Sequence, residues 1–382
     1  MNMIRATSER SFTHWSNIIF KGRCTFSSSS TSTSSTSSDT TTTSSSAVTN
    51  ERISKILSQF PTIKYGFAYG SGVIPQKGYN AGATSISLDK MPMIDLVFAV
   101  DNTLEWHKEN IERNFHHYSF LAYMGEQSVN HVQKMAAKVY YNTLLKHEGI
   151  RYKYGVIEYG DLIDDLRNWD SLYVSGRMMK PILQLPNLAD GGEHMSAVNR
   201  DSNLLYAISC AVLTLPSEFS EYELYHMISS ISYMGDIRMR GGENPNKIHN
   251  IVVNNLESMR AIYMPLIKQH FGNNISIGHV DNTGLHHFIK VKIMIMIMSC
   301  RVVVVVSITN NVVVIHNSAV VSNLRKNLRG GKVHVEPQVV TKCIQDIVGR
   351  SSFTQSAKGV LTAGLTKSLE YIYLKLQKSS SK

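Results

Sequence analysis

Three short features of this chain could do chemistry on a phosphate. The apolar run Phe67–Tyr69 ends in Gly70-Ser71-Gly72. A turn of that composition bends sharply and offers unblocked backbone N–H groups, with the Ser71 hydroxyl as an extra donor. Asp95 then sits inside the compact apolar stretch MIDLVFAVD. An unpaired carboxylate is costly in such a strand, and a metal ion is its natural partner. Lys153, Arg177 and Lys180 are cations suited to neutralising phosphates. The plain alternatives are a simple turn, a capped or edge carboxylate, and solvent-facing bases.

Together the three features follow the logic of a nucleotidyltransferase site. The turn holds a nucleoside triphosphate, and carboxylates hold Mg2+ that activates the attacking oxygen and steadies the pyrophosphate leaving group. The usual second carboxylate is missing, because Val97 stands at its position. Asp101, at the end of the strand, is the remaining candidate for a second metal ligand, or only starts a loop.

The elements that must carry these residues are legible in outline. Tyr152–Ile157 reads as a strand, followed by a helix with Leu162, Leu166 and Trp169 on one face that ends near Gly176-Arg177 and Lys180-Pro181. Tyr140-Tyr141-Asn142, after a helix-like stretch, adds polar groups, or Tyr140 and Tyr141 are core with satisfied hydroxyls. A second region begins with LLYAISCAVLTL, and Ser220 with Glu223 has capping-box spacing before a helix carrying Leu224, Met227, Ile228 and Ile231. Asp236 and Arg238 could close a site from this helical module or form a structural ion pair. Near the C-terminus, Leu361, Leu365, Leu369, Ile372 and Leu376 fall on one helical stripe with Lys367, Lys375 and Lys378 across from it. Such a helix suits a membrane interface, or docks on the protein's own core.

The formal charge of +10 is unevenly placed. Residues 1–50 hold four Lys/Arg against two acids, residues 322–382 hold eleven against three, and the remaining 271 carry 24 of each. A neutral body argues against nucleic acid as the partner, and a basic C-terminal end points to an anionic lipid surface. The first 26 residues are basic and acid-poor like an organelle transit peptide, and Ser27–Ser46 is Ser and Thr apart from Asp39, a composition expected to be a disordered linker. Cys24, Cys210, Cys300 and Cys343 are too dispersed for a metal or redox motif and are expected to be reduced. The run Ile293–Ile315 is repetitive and strand-prone, with Arg301 and Asn310-Asn311 inside it. We expect part of roughly 291–320 to be read-through of an unspliced intron or a gene-model error. The expected organisation is therefore a transit peptide and linker (1–50), a catalytic domain (51–195), a helical domain (196–290), the anomalous run (291–320) and a basic C-terminal segment (321–382).

YGSGVIPQ, MIDLVFAVDN with EWHKEN and NFHHYSF, KYGVI, LIDDLRNW, LYVSGRMMKP, SYMGDIRM, and QSAKGVLTAG with KSLEYIYLKL occur in an order that closely resembles the mitochondrial phosphatidate cytidylyltransferase family, also known as the mitochondrial translocator assembly and maintenance proteins. The similarity covers most of Ile53–Leu376. It implies an α+β chain with a nucleotidyltransferase domain, a winged-helix-like domain and a C-terminal membrane-contacting helix. It also implies Mg2+-dependent conversion of CTP and phosphatidic acid to CDP-diacylglycerol and pyrophosphate at the matrix side of the mitochondrial inner membrane, by a peripheral protein feeding cardiolipin synthesis. By this resemblance Gly70, Ser71 and Gly72 cradle the CTP phosphates and Asp95 holds Mg2+. Our inference within the matching motifs gives Lys153 a catalytic role with Asp95, Arg177 and Lys180 the nucleotide, and Asp236, Arg238 and Lys358 the lipid. Two alternatives are a non-catalytic import-assembly factor on a degenerate scaffold, which the missing second Asp permits, and an RNA nucleotidyltransferase, which the neutral body disfavours.

Overall fold

The computed structural model describes residues 40–74, 92–186, 188, 191–240, 244–272, 275–281, 283–290 and 337–364. The chain separates into a unit at Met1–Val48 and a unit at Thr49–Lys382. Both sheets and all helices after the first belong to the second unit. The proposed transit segment, the Ile/Val run and residues 365–382 lie outside the described residues.

Helix α1 spans Thr40–Leu57. The end of the Ser/Thr tract is therefore helical rather than the linker expected from composition. Ser and Thr are middling helix formers, and a helix nucleated downstream, where Ile53 and Ile56 are buried, propagates through them at small cost per residue.

A five-stranded mixed sheet is built from β1 (Tyr65–Tyr69), β2 (Ile94–Val100), β3 (Val139–His147), β4 (Ile150–Glu158) and β5 (Leu183–Gln184), in the order β3-β4-β2-β1-β5. Central β2 runs antiparallel to β1 and parallel to β4. Its sequence IDLVFAV is apolar on both sides, as a strand covered on two faces must be. Leu96, Phe98, Tyr152 and Tyr154 pack on one face with α1, Phe60 and Trp106 of α2 (Thr103–Asn114). Phe67, Val97, Tyr141 and Ile157 pack on the other with α4 (Tyr159–Asn168), α5 (Ser175–Met178) and α6 (Gly192–Val198). Between them in sequence, α3 (Glu126–Lys134) covers Tyr140.

The second region is helical with a small sheet, β6 (Glu218–Ser220), β7 (Ile275–Val280) and β8 (His286–Lys290), ordered β6-β8-β7. Its core joins α7 (Leu205–Thr214), α8 (Glu221–Ile231), α9 (Lys247–Asn254) and α10 (Leu256–Leu266) through Ile208, Leu224, Ile228, Val252 and Tyr263. The capping box is formed as its spacing implied: Ser220 Oγ accepts from the Glu223 N–H at 3.2 Å, and Glu223 Oε2 accepts from the Ser220 N–H at 2.7 Å. The α+β class follows directly from these elements. Cys210 and Cys343 are buried free thiols.

Helix α11 (Pro337–Ala363) inserts Val340, Ile344 and Val348 into the same core. The start of the sequence-predicted amphipathic helix, residues 357–363, is thus the end of a docked helix. No helix among the described residues is long and apolar enough to cross a membrane.

Candidate functional site

The turn after β1 needs its glycines for two separate reasons. Gly70 has φ +79°, and a Cβ there would also stand 3.2 Å from Asp95 Oδ2. A Cβ on Gly72 would come 2.2 Å from the Met93 carbonyl oxygen, so the turn lies flat against the start of β2. The Gly70 carbonyl accepts from the Val73 and Ile74 N–H groups at 3.2 and 3.1 Å, closing a compact loop. The side chains that face this loop come from the same sheet face. Tyr69 is the register partner of Asp95, and Asp95 is the register partner of Lys153.

Lys153 Nζ lies 3.1 Å from Asp95 Oδ1. The two side chains are 16% and 21% exposed, so the pair is largely withdrawn from water but open on one side. Asp95 Oδ1 is buried and has no partner in hydrogen-bond geometry, so its contact with Lys153 is an ion pair only. Lys153 also stands 5.9 Å from the ring centroids of both Tyr69 and Tyr141.

Arg177 extends this cationic surface. Its guanidinium lies 4.1 Å from the Tyr173 ring, 5.4 Å from the Tyr69 ring and 5.9 Å from the Tyr141 ring, and it donates to the Tyr173 carbonyl. Burial works to raise the Tyr173 phenol, but the charges of Arg177, Arg238 and Lys153 hold it below its ordinary value. Tyr141 has the opposite shift: burial pushes its phenol well up.

The turn carrying Tyr173 and Arg177 is organised by a buried carboxylate. Asp165 Oδ1 accepts from the Ser171 N–H and hydroxyl, both at 2.8 Å, and from the Leu172 N–H at 3.1 Å. Its Oδ2 accepts from the Val174 and Ser175 N–H groups at 3.2 and 2.9 Å. These bonds offset left-handed backbone at Trp169 (φ +53°) and Leu172 (φ +54°), which costs of order 1 kcal/mol per residue. Trp169, expected on a helix face, instead ends α4 in that left-handed conformation and donates from Nε1 to Asn203 Oδ1 at 2.8 Å. Asn203 sits in a π-helical turn, residues Asn199–Leu204, and its amide donates to the Ser175 carbonyl at 3.0 Å. Arg177 is therefore fixed from both sides of its short helix.

Lys180 closes the far end of this surface. It donates to the Gly176 carbonyl and, at 2.8 Å, to Ser232 Oγ, and lies 5.2 Å from the Tyr233 ring. Burial, with Arg177 and Lys247 nearby, brings its pKa down to about 7. Asp236 is buried and committed to Arg238, whose Nη2 donates to Oδ2 at 2.6 Å and whose Nε donates to both oxygens at 3.0 and 3.1 Å. Arg238 is close enough to act electrically on Tyr173 and Arg177, so this pair borders the site.

Two sequence-predicted residues do not join the cluster. Asp101 lies six residues beyond Asp95, just past the end of β2 and about 20 Å away at the usual rise, and pairs with Lys64 at 2.5 Å. It cannot share an ion with Asp95. Lys358 is buried at the opposite end of the sheet, where Nζ donates to the Gln133 and Met135 carbonyls at 2.9 Å each. It caps the end of α3 and fastens α11, so its charge is structural. Tyr233, which opens the Tyr233–Arg238 segment expected to close a site from the helical module, does border the cluster, whereas Tyr69, Tyr173, Ser232 and Lys247 line it without having been singled out. Tyr69 was within reach of strand alternation, since it directly precedes the turn.

The donor set fits Mg2+ shared with a substrate. Asp95 supplies a carboxylate whose buried Oδ1 has no hydrogen-bond partner and meets only the Lys153 ammonium, beside a turn where no Cβ intrudes. No group of three or more His, Cys, Asp or Glu side chains among the described residues could hold a metal. Mg2+ commonly binds through one or two carboxylates, with phosphate and water oxygens completing its octahedron.

A family model described as mitochondrial phosphatidate cytidylyltransferase matches residues 53–378. The chain is 43% identical over 362 residues to a mitochondrial phosphatidate cytidylyltransferase of Dictyostelium discoideum, covering 87% of this chain and 85% of that protein. It is 34% identical to proteins of the same description from Drosophila melanogaster and Mus musculus, covering 85% of this chain in each case and 97% and 94% of those proteins.

Proposed function

This chain belongs to the mitochondrial phosphatidate cytidylyltransferase family, and we propose that its catalytic centre is the cluster of Gly70, Asp95, Lys153 and Arg177. It is a nucleotidyltransferase that makes CDP-diacylglycerol from CTP and phosphatidate. The observation that carries the site assignment is convergence. β2, β4 and α5 bring the Asp95 carboxylate, Lys153 and Arg177 to one end of one sheet face beside the turn after β1, among the rings of Tyr69 at the end of β1, Tyr141 on β3 and Tyr173 just before α5.

A phosphatidate oxygen forms a bond to the α-phosphorus of CTP while the bond from that phosphorus to the β-bridging oxygen breaks, and the electron pair leaves with pyrophosphate. Both reactants are polyanions, so the barrier is largely one of charge. The turn at Gly70–Gly72 and the Ser71 hydroxyl hold the triphosphate. Lys153 and Arg177 offset the charge gathering on the leaving group, and Lys180 binds where burial makes a phosphate the favoured neutraliser. Mg2+ held by Asp95 would supply further neutralisation between the two substrates. No protein nucleophile is required.

The protein is proposed to work as a peripheral protein on the matrix side of the inner membrane, feeding cardiolipin synthesis. The support is the basic, amphipathic sequence of residues 365–382. The test uses purified protein, labelled CTP, Mg2+, and vesicles containing phosphatidate or, in parallel, RNA. Label is expected in lipid and not in RNA. Removal of residues 365–382 is expected to weaken salt-sensitive vesicle binding before it affects CTP binding. Equal vesicle binding at low salt with and without those residues contradicts the membrane role.

A further inference from the structure

We propose that the single helical turn Phe120–Met124 is a second membrane anchor, which inserts its aromatic and Met side chains into an anionic bilayer. Phe120 is 53% exposed, Tyr123 81% and Met124 62%, and neighbouring Phe115 is 40% exposed. The Phe115 and Tyr123 rings meet edge to face with centroids 4.9 Å apart, so these residues form one patch. Their exposure is built in. Leu121 and Ala122, within the same turn, are buried against Tyr118, Val129 and Val132, and Ser119 Oγ caps the turn at the Leu121 N–H. A rigid turn that holds two residues in the core and aims three large apolar ones at water suits an interface, where aromatic rings and Met fit the boundary between headgroup and acyl chain.

What covers the patch is argued from two facts. The enzyme's substrate is a two-chain lipid, which resides in a bilayer, so this inference rests on the phosphatidate reading. The patch also lies where the described chain ends. Ser119 Oγ donates to the Leu361 carbonyl at 2.8 Å, Leu361 is itself 44% exposed, and a Cβ on Gly364 would stand 3.7 Å from Ser119 Cβ. The described chain thus ends at Gly364 beside this turn, and the sequence that follows carries Lys367, Lys375, Lys378 and Lys382 against Glu370. The two elements together give the apolar insertion and local positive charge that stable attachment to an anionic surface needs. The role is anchorage only; none of these side chains belongs to the cation cluster.

The test compares the full chain with F120S/Y123S/M124S. Affinity for vesicles containing phosphatidate should fall about tenfold or more. The vesicle concentration giving half-maximal rate should rise accordingly, while CTP affinity, and turnover of a short-chain phosphatidate dissolved as monomers, stay unchanged. In a separate Tyr123→Trp chain, added vesicles should shift the new indole's emission to the blue. Unchanged vesicle affinity of the triple variant overturns the proposal. So does Tyr123→Trp emission already blue-shifted without vesicles, which would place the chain's own tail or a second copy on the patch. If removing residues 365–382 abolishes vesicle binding and the triple substitution does not, the tail anchors alone and this inference falls, while the cytidylyltransferase activity stands.

Discussion

Lys153 Nζ stands 3.1 Å from Asp95 Oδ1, and the two residues are register partners across the parallel β2–β4 pair. Their separation is thus set by the sheet itself, and each neutralises the other in a half-buried position. Such a pair is well placed for exchange. A triphosphate bound with Mg2+ would give Lys153 an anion and Asp95 a cation, so each charge would keep a partner as the site fills.

Arg177 presents a planar fork held over Tyr173, and Lys in its place would present a point charge. Arg177→Lys should raise the KM for CTP roughly ten- to hundredfold, the equivalent of losing a charge-assisted hydrogen bond worth about 1.5–3 kcal/mol. Steady-state kinetics with varied CTP at saturating phosphatidate vesicles would show it; an unchanged KM would remove Arg177 from the nucleotide site.

Asp165 serves the same turn from below, with five hydrogen bonds into residues 171–175. Asp165→Asn loses the charge and leaves buried donors unmatched, so we expect a loss of about 3 kcal/mol in urea unfolding. Because the turn carries Tyr173 and Arg177, the folded fraction should also show a raised KM for CTP. A variant with lowered stability and normal KM would make Asp165 structural only.

The pH dependence of CTP binding follows from Lys180. Its pKa of about 7 in the free protein means that it loses its charge as pH rises from 6 to 8; in the proposed contact with a CTP phosphate the charged form would be the one bound better. CTP affinity should therefore weaken as pH rises through about 7, with a proton taken up on binding. Lys180→Arg, which stays charged, should flatten that profile in isothermal titration calorimetry. A wild-type profile as flat as that of Lys180→Arg would rule out the proton uptake.

How much was legible in the sequence divides along one line. Local chemistry was: the Gly70 turn, Asp95 in an apolar strand, Lys153 on a strand, and the cations after the helix at 159–168 are all found together, whereas β3 and the parallel β2–β4 pairing that sets Lys153 against Asp95 were not read. Residues whose meaning depends on long-range packing were not. Lys358 looks like a lipid-phosphate ligand in QSAKG, yet α11 carries it into a dry site where two carbonyls accept its hydrogen bonds. Asp101 sits close to Asp95 in sequence, but an extended strand puts six residues far apart. The tyrosine lining around Arg177 comes from three separated elements, and no sequence period links Tyr69, Tyr141 and Tyr173. Asp165 gave no signal because a carboxylate on a helix is usually a solvated one.

Lys358 makes a stability prediction with a definite sign. Burial lowers its pKa to about 7, against 10.5 in an exposed chain. Between those values the unfolded chain binds a proton that the folded chain does not, so stability rises with pH from about 7 to 10, and Lys180 adds to the same slope. Lys358→Met should reduce the slope of the unfolding midpoint between pH 7 and 9 and leave the KM for CTP unchanged. Thermal melts across that range, paired with kinetics, check both; a raised KM would return Lys358 to the site.

The central claim is that Asp95 is the carboxylate on which the transfer depends. The most direct measurement is CDP-diacylglycerol formation from labelled CTP and phosphatidate vesicles by Asp95→Asn, at saturating Mg2+, with its circular dichroism and unfolding midpoint recorded alongside. Turnover should fall by about a thousandfold or more, the scale of losing a principal electrostatic group at a reacting phosphate, while the fold stays intact. Near-normal product formation by a folded Asp95→Asn protein would contradict the account.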